Sequence, residues 1–356
     1  MKKVFSRILI FGFVVLFLVF CGLLIKSGVI ISQGMYEDDK FSIAMVTDGG
    51  GVNDQSFQES AWRGLQKLSQ EHDCKVRYVE CQQSSDFPSN IDRLADENTN
   101  LILGIGYKLA DPIELAAKIN PERNYILADF SYGDNTPDNV ICLVFRAEES
   151  SFLVGYIAGM TTKTNTVGFI GGMRSVVIDQ FEYGFRAGVM YAAQKLNKNI
   201  NIKVQYAETF TDSAKGKAVA IKMFDECDIV FHAAGGAGVG IIEAAKERNK
   251  FAIGVDMDQF NLAPNNILTS AVKDVGKAIE IISIRAMNGE NLGGKTFSFG
   301  IKENCVGIPE NNPNIDNKIL KSAKKIEQKI SNKEIVPPSN LNEYNNFVNN
   351  MIKKED

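Results

Sequence analysis

One unit recurs along this chain: a short run of apolar, β-forming residues ends on a small or acidic turn, and a helical pattern follows. Strand ends of this kind close the segments 41–48 (FSIAMVTD), 101–106 (LILGIG), 124–129 (NYILAD), 166–172 (TVGFIGG), 228–232 (DIVFH) and 251–256 (FAIGVD). Further strands are expected at 75–80, 140–145, 202–210, 267–271 and 296–301. Helical spacing is expected at 87–97, 110–119, 148–160, 181–195, 213–224, 241–247 and 316–330. Parallel strands need crossovers, and alternating strands and helices of this length build parallel sheets covered on both faces. The series restarts near residue 165, so the reading is α/β with two doubly wound parallel-sheet lobes. Length agrees, since 356 residues exceed one typical core. The Asn- and Lys-rich end from residue 337 reads as loose.

The formal charge is −4, and Lys2, Lys3 and Arg7 sit in the leader, so the remainder is more acidic still. That argues against nucleic acid as a partner. Two histidines and six cysteines without metal-ligand spacing argue against zinc, and the cysteines read as buried thiols. The AAGGAGVG run at 233–240 lacks dinucleotide spacing and a Walker lysine, so no cofactor is expected.

Residues 1–31 carry a basic start and a long apolar run, an export signal outside the fold. Leu18-Val19-Phe20-Cys21 resembles a lipobox, which makes Cys21 the expected acylation site. Phe20 departs from the small residue usual at that position, and an uncleaved anchor over 8–24 is the alternative. Both outcomes tether the globular part outside the cytoplasmic membrane.

The stretch 41–64 organises the rest. A strand ending at Asp48, three glycines, Asn53-Asp54, Phe57 and then a helix place polar groups where open α/β sheets bind ligands. Phe57 and Phe210 could sandwich a flat ring, while Asp48, Asp129 or Asp256 accept hydrogen bonds from hydroxyl or ring N–H groups. Each also has a bland reading: a strand-end Asp often caps a helix, Phe181, Phe185 and Phe210 could be core, and Lys273 could be a surface charge.

The motifs DGGGVNDQSFQESAWRG (48–64), FRAEESSFLVGYIAG (145–159), GFIGGMRSVVIDQFEYGFRAG (168–188), FTDSAKGK (210–217), FHAAGGAGVGIIEAAKE (231–247) and IGVDMDQ (253–259) occur in one order. By them the chain resembles the basic membrane protein family, bacterial lipoproteins that include purine nucleoside receptors of spirochaetes. The resemblance implies a type I periplasmic-binding-protein-like fold, two lobes joined by a hinge. It implies a first lobe at 40–160 plus about 275–300, a second at 161–274, a segment 1–39 for the anchor and tether, and a C-terminal extension at 301–356. It implies a monomer that captures purine nucleosides such as inosine, guanosine or adenosine for an ABC permease and ATPase, with a lipid anchor in the membrane. Phe57 and Phe210 would stack on the base, with Phe181 or Phe185 at one edge. Asp48, Asn53 (or Asp54) and Asp129 would bond from the first lobe, and Gly236, Asp256 and Lys273 would hold the ribose.

Two rivals remain at this stage. A nucleoside hydrolase would group its acids at one strand end, whereas here they are dispersed, so no enzyme is expected. A surface adhesin or antigen would bind a host macromolecule through the lobe exteriors, about which the sequence says almost nothing.

Overall fold

A computed structural model describes residues 40–352; the leader and Cys21 lie outside the described residues. Two six-stranded sheets share one topology. The first combines β1 (Phe41–Thr47), β2 (Cys74–Glu80), β3 (Leu101–Ile105), β4 (Asn124–Ala128), β5 (Val140–Phe145) and β11 (Lys295–Phe299), in the order β11-β5-β4-β3-β1-β2. The second combines β6 (Thr166–Gly171), β7 (Asn201–Tyr206), β8 (Ile229–Ala233), β9 (Phe251–Asp256), β10 (Ile267–Lys273) and β12 (Val306–Gly307), in the order β12-β10-β9-β8-β6-β7. Every pairing with a recorded register is parallel except β10 with the two-residue β12. The central strands are buried along their length, which is why they read as unbroken apolar runs.

The order reverses at β1 in one sheet and at β6 in the other. Crevices beyond the carboxyl ends of strands at such reversals are where open sheets bind ligands. The matched topology makes β4 the counterpart of β9. Asp129, just past β4, and Asp256, the last residue of β9, both have φ of 62°. Few non-glycine residues adopt that left-handed conformation, and Asp is among the more tolerant.

The chain passes between the lobes three times. After β5 comes α4 (Ala147–Thr161), which packs on α5 (Val176–Leu196) and on β10. The expected lobe boundary at residue 160 therefore moves to Phe145–Arg146, and helix 147–161 belongs to the second lobe. The reason is close packing: a Cβ at Gly188 would lie 2.1 Å from the Phe152 carbonyl oxygen, so α4 and α5 touch backbone to backbone. After β10, α8 (Val275–Met287) returns to the first lobe and packs on α1 (Phe57–Glu71). After β11 the chain goes back to β12. Arg146 ties the first and third passages together, donating to Glu149 Oε1 at 2.7 Å and Ser298 Oγ at 2.9 Å and pairing with Glu303.

The C-terminal extension is part of the second lobe. Helix α9 (Asn317–Ser331) packs on α4, and α10 (Leu341–Ile352) packs on α5. The loose end expected from residue 337 is instead helical, because Phe347 and Tyr344 anchor it on Phe152 and Tyr183, with ring centroids 5.7 and 5.9 Å apart. The remaining helices are α2 (Phe87–Asp96), α3 (Ala110–Ile119), α6 (Ser213–Met223) and α7 (Gly238–Arg248). Among the described residues no helix is long and apolar enough to cross a membrane. Cys74, Cys81, Cys142, Cys227 and Cys305 are buried free thiols.

Candidate functional site

The two sets of strand ends enclose a cleft of about 690 Å³, its open mouth included. Asp48, Phe57 and Asp129 line it from the first lobe, and Phe181, Phe210, Asp256 and Lys273 from the second. Three candidates lie elsewhere. Asn53 is exposed, and its neighbour Asp54 faces the cleft. Phe185 is wholly buried against Phe231, with centroids 5.3 Å apart, so Phe181 supplies the wall one helical turn away. Gly235, with φ of +53°, lines the cleft in place of Gly236, which packs against Asp54.

Asp54 holds the first turn of α1. Its carboxyl accepts from the N–H groups of Ser56 at 2.9 Å, Gln58 at 3.0 Å and Glu59 at 3.0 Å. Burial pushes this carboxyl up to about 6, against the three donors that hold it down. The glycines before it let the chain turn, and Phe57 then opens the helix with its ring on the cleft. Phe210 lies beyond the end of β7, not within a strand reaching to 210 as its sequence suggested. Its ring rests on Gly172, where an added Cβ would come within 2.3 Å.

The polar end of the cleft is built around Lys273, the last residue of β10, which is 2 % exposed. Its Nζ lies 2.6 Å from Asp129 Oδ2 and 3.8 Å from Asp256 Oδ1. Three rings surround the ammonium: Phe57 at 4.4 Å, and Phe145 and Phe181 each at 5.5 Å from the ring centroid. Burial raises the Asp256 carboxyl, while Lys273 and the Ser56 hydroxyl oppose that shift. Ser56 donates to Asp256 Oδ2 from the other lobe. Gln259 Nε2 also crosses, donating to the Gln55 carbonyl at 2.8 Å.

Behind the cleft, Gln259 Oε1 accepts from the Val255 N–H at 3.0 Å and lies 3.0 Å from His232 Nε2. An oxygen already acting as acceptor assigns the imidazole proton to Nε2. His232 is fully buried and burial pulls it down to about 4, so it stays neutral. It has a structural place behind the wall. Sequence reading also missed Gln58 and Lys108, which line the cleft. Gln58 lies in the first turn of α1 and Lys108 in the turn after β3, and neither residue type at those places signals a ligand by itself.

The family profile described as ABC transporter substrate-binding protein PnrA-like, Bmp, matches residues 41–340. The chain belongs to the Bmp family. It is 38 % identical to Basic membrane protein A of Borreliella burgdorferi, over 93 % of this chain and 98 % of that one. It is also 38 % identical to a CD4+ T-cell-stimulating antigen of Listeria monocytogenes, over 89 % and 96 %. Its fold is similar to a solute-binding protein of an ABC transporter system from Aeropyrum pernix. That match has a TM-score of 0.78 and 24 % identity, covering 88 % of this chain and 98 % of that one. A solute-binding protein from Conexibacter woesei gives a TM-score of 0.67 at 16 % identity, over 84 % and 99 %. This Bmp protein is therefore a non-enzymatic substrate-binding component of an ABC importer, extracytoplasmic and membrane-anchored, with the two-lobed type I binding-protein fold.

Proposed function

We propose that this Bmp protein captures purine nucleosides in the interlobe cleft and delivers them to its permease and ATPase. The observation that carries the reading is one aromatic ring from each lobe on the same cavity, Phe57 and Phe210, beside a buried Asp129–Lys273–Asp256 set. The rings stack on a bicyclic base. Asp256 accepts from ribose hydroxyls, and Lys273 donates to them; Asp129, Phe181 and Gly235 complete the wall. A carboxylate has about four acceptor sites, so Ser56 and Lys273 leave Asp256 capacity for a diol. The base end then lies toward Asp48 and Gln58. Cys21 carries the lipid that holds the protein at the membrane.

Calorimetric titration of the full chain in detergent with inosine and with uridine tests this reading. Inosine is expected to bind at least tenfold tighter, since the larger base covers more of both rings. Uridine binding as tightly as inosine would remove the purine preference.

A further inference from the structure

The turn before α1 and the turn after β9 meet across the lobes. Gln55 has φ of 55°, a left-handed conformation that few residues other than glycine adopt. In that turn the Gln55 carbonyl and the Ser56 hydroxyl both face the second lobe. The carbonyl accepts from Gln259 Nε2 at 2.8 Å, and Ser56 Oγ donates to Asp256 Oδ2. Ser56 and Gln259 are 0 % and 2 % exposed, and neither lines the cleft.

The Gln259 amide has one orientation available. Its Oε1 accepts from the Val255 N–H at 3.0 Å and from His232 Nε2 at 3.0 Å, which leaves its Nε2 for Gln55. A flipped amide would set its N–H groups against two donors. The imidazole that supplies the second donor is wedged in place: a Cβ at Gly238 would lie 2.1 Å from His232 Cε1. His232 Nδ1 has no hydrogen-bond partner, as fits the bare nitrogen of this tautomer. The Gln259 backbone N–H is held too, on Ser270 Oγ at 3.1 Å. A buried network inside the second lobe thus aims one donor at the first.

Both cross-lobe bonds exist only while the lobes are together, and hinge opening breaks them. Their net stabilisation belongs to the closed form alone, whatever solute lies in the cleft, and it slows that solute's escape. We infer that Gln55-Ser56 and Asp256-Gln259 form a latch that sets the residence time of bound solute. The latch does not depend on which solute is bound; inosine serves as the probe through the nucleoside reading above.

Rapid-mixing displacement measures the release of inosine and of hypoxanthine from the full chain in detergent. Spin labels at Leu115→Cys in α3 and Lys222→Cys in α6, one exposed position on each lobe, report the interlobe distance. Ser56 stands at the start of α1 without a side-chain bond to the helix, so Ser56→Ala removes the cross-lobe bond and no cap bond. This variant is expected to release both ligands roughly tenfold faster, the loss of one hydrogen bond to a carboxylate, and to broaden the distance distribution. Gln259→Met is expected to do at least as much; circular dichroism confirms that each variant is folded. Release from folded Ser56→Ala within about twofold of the parent would overturn the latch. Faster release of inosine alone would make Ser56 a positioning residue for the ribose contact, and that too would overturn it. Where the parent binds no hypoxanthine, or neither ligand, the label distances decide, and distributions unchanged by Ser56→Ala would overturn the latch. Inosine left unbound by the parent would separately overturn the nucleoside reading.

Discussion

Lys273 Nζ reaches across the cleft to Asp129 Oδ2 at 2.6 Å, so the last residue of a second-lobe strand is paired with a residue that ends a first-lobe strand. Asp256, the topological counterpart of Asp129, is its second acidic neighbour at 3.8 Å. One buried cation thus separates two buried carboxylates supplied by equivalent positions of two equivalent sheets.

Removing that cation leaves two little-exposed carboxylates facing each other across the lobes. Lys273→Met is expected to destabilise the protein by about 3–5 kcal/mol at pH 7, the usual result of breaking a buried pair on one side. Burial already raises Asp256, and loss of Lys273 raises it further. The deficit should therefore shrink as pH falls and Asp256 takes up a proton. Urea unfolding at pH 7 and pH 5 checks both parts, and a deficit that is the same at both pH values would contradict them.

Two substitutions separate the ends of the proposed ligand. Asp256→Ala removes the ribose acceptor, and Phe57→Ala removes base stacking. Each is expected to lower inosine affinity by roughly 2–4 kcal/mol, about 30-fold to 1000-fold. Only the Asp256 variant should lose the preference for inosine over free hypoxanthine, because hypoxanthine makes no ribose contact. Titration of both ligands into both folded variants distinguishes the roles, and Asp256→Ala binding inosine within about twofold of the parent would exclude this carboxylate from the site.

Asp54 and His232 act on stability in opposite directions over one pH range. The folded Asp54 carboxyl, near 6, lies above its unfolded value of 3.8. Its ionisation therefore costs the folded state progressively as pH rises from about 4 to 6. His232 is lowered from 6.5 to about 4, so stability falls as pH drops through that window. The two largely cancel in the parent. Asp54→Asn keeps a capping oxygen and removes the first effect. This variant is expected to lose stability more steeply than the parent between pH 6.5 and pH 4, read by thermal unfolding at fixed pH steps. A parallel pair of curves would contradict the assignment.

Helices α1 and α8 cross at Gly64 and Gly276, where a Cβ added to Gly64 would lie 2.3 Å from the Gly276 Cα. Neither backbone can give way without separating the helices. Gly64→Ala is expected to cost about 1–3 kcal/mol, as overpacking does, in denaturant unfolding. An unchanged midpoint would show that the crossing tolerates a methyl group.

Much of the architecture was legible because it rests on local pattern. Buried parallel strands such as LILGI in β3 and FAIGVD in β9 announce themselves as apolar runs, and the acids closing three of the strand segments, Asp48, Asp129 and Asp256, mark the ligand edge. What stayed hidden depends on packing between distant segments. Nothing in EESSFLVGYIAGM says that its glycines face α5, so the first passage between lobes was set too late. Two aromatic anchors among asparagines were too few to reveal α10. Within the site, residues one position apart exchanged roles: Asp54 rather than Asn53, and Gly235 rather than Gly236, because turn geometry decides which neighbour faces inward. Lys108 carried no signal at all, since a loop lysine becomes a cleft residue only when Phe210 of the other lobe meets it.

The most direct test of nucleoside capture is a crystal structure of the full chain grown with inosine. The base is expected between Phe57 and Phe210, with ribose hydroxyls within about 3 Å of an Asp256 carboxylate oxygen and of Lys273 Nζ. Inosine bound outside the interlobe cleft, or a cleft that stays empty at saturating inosine, would contradict the account.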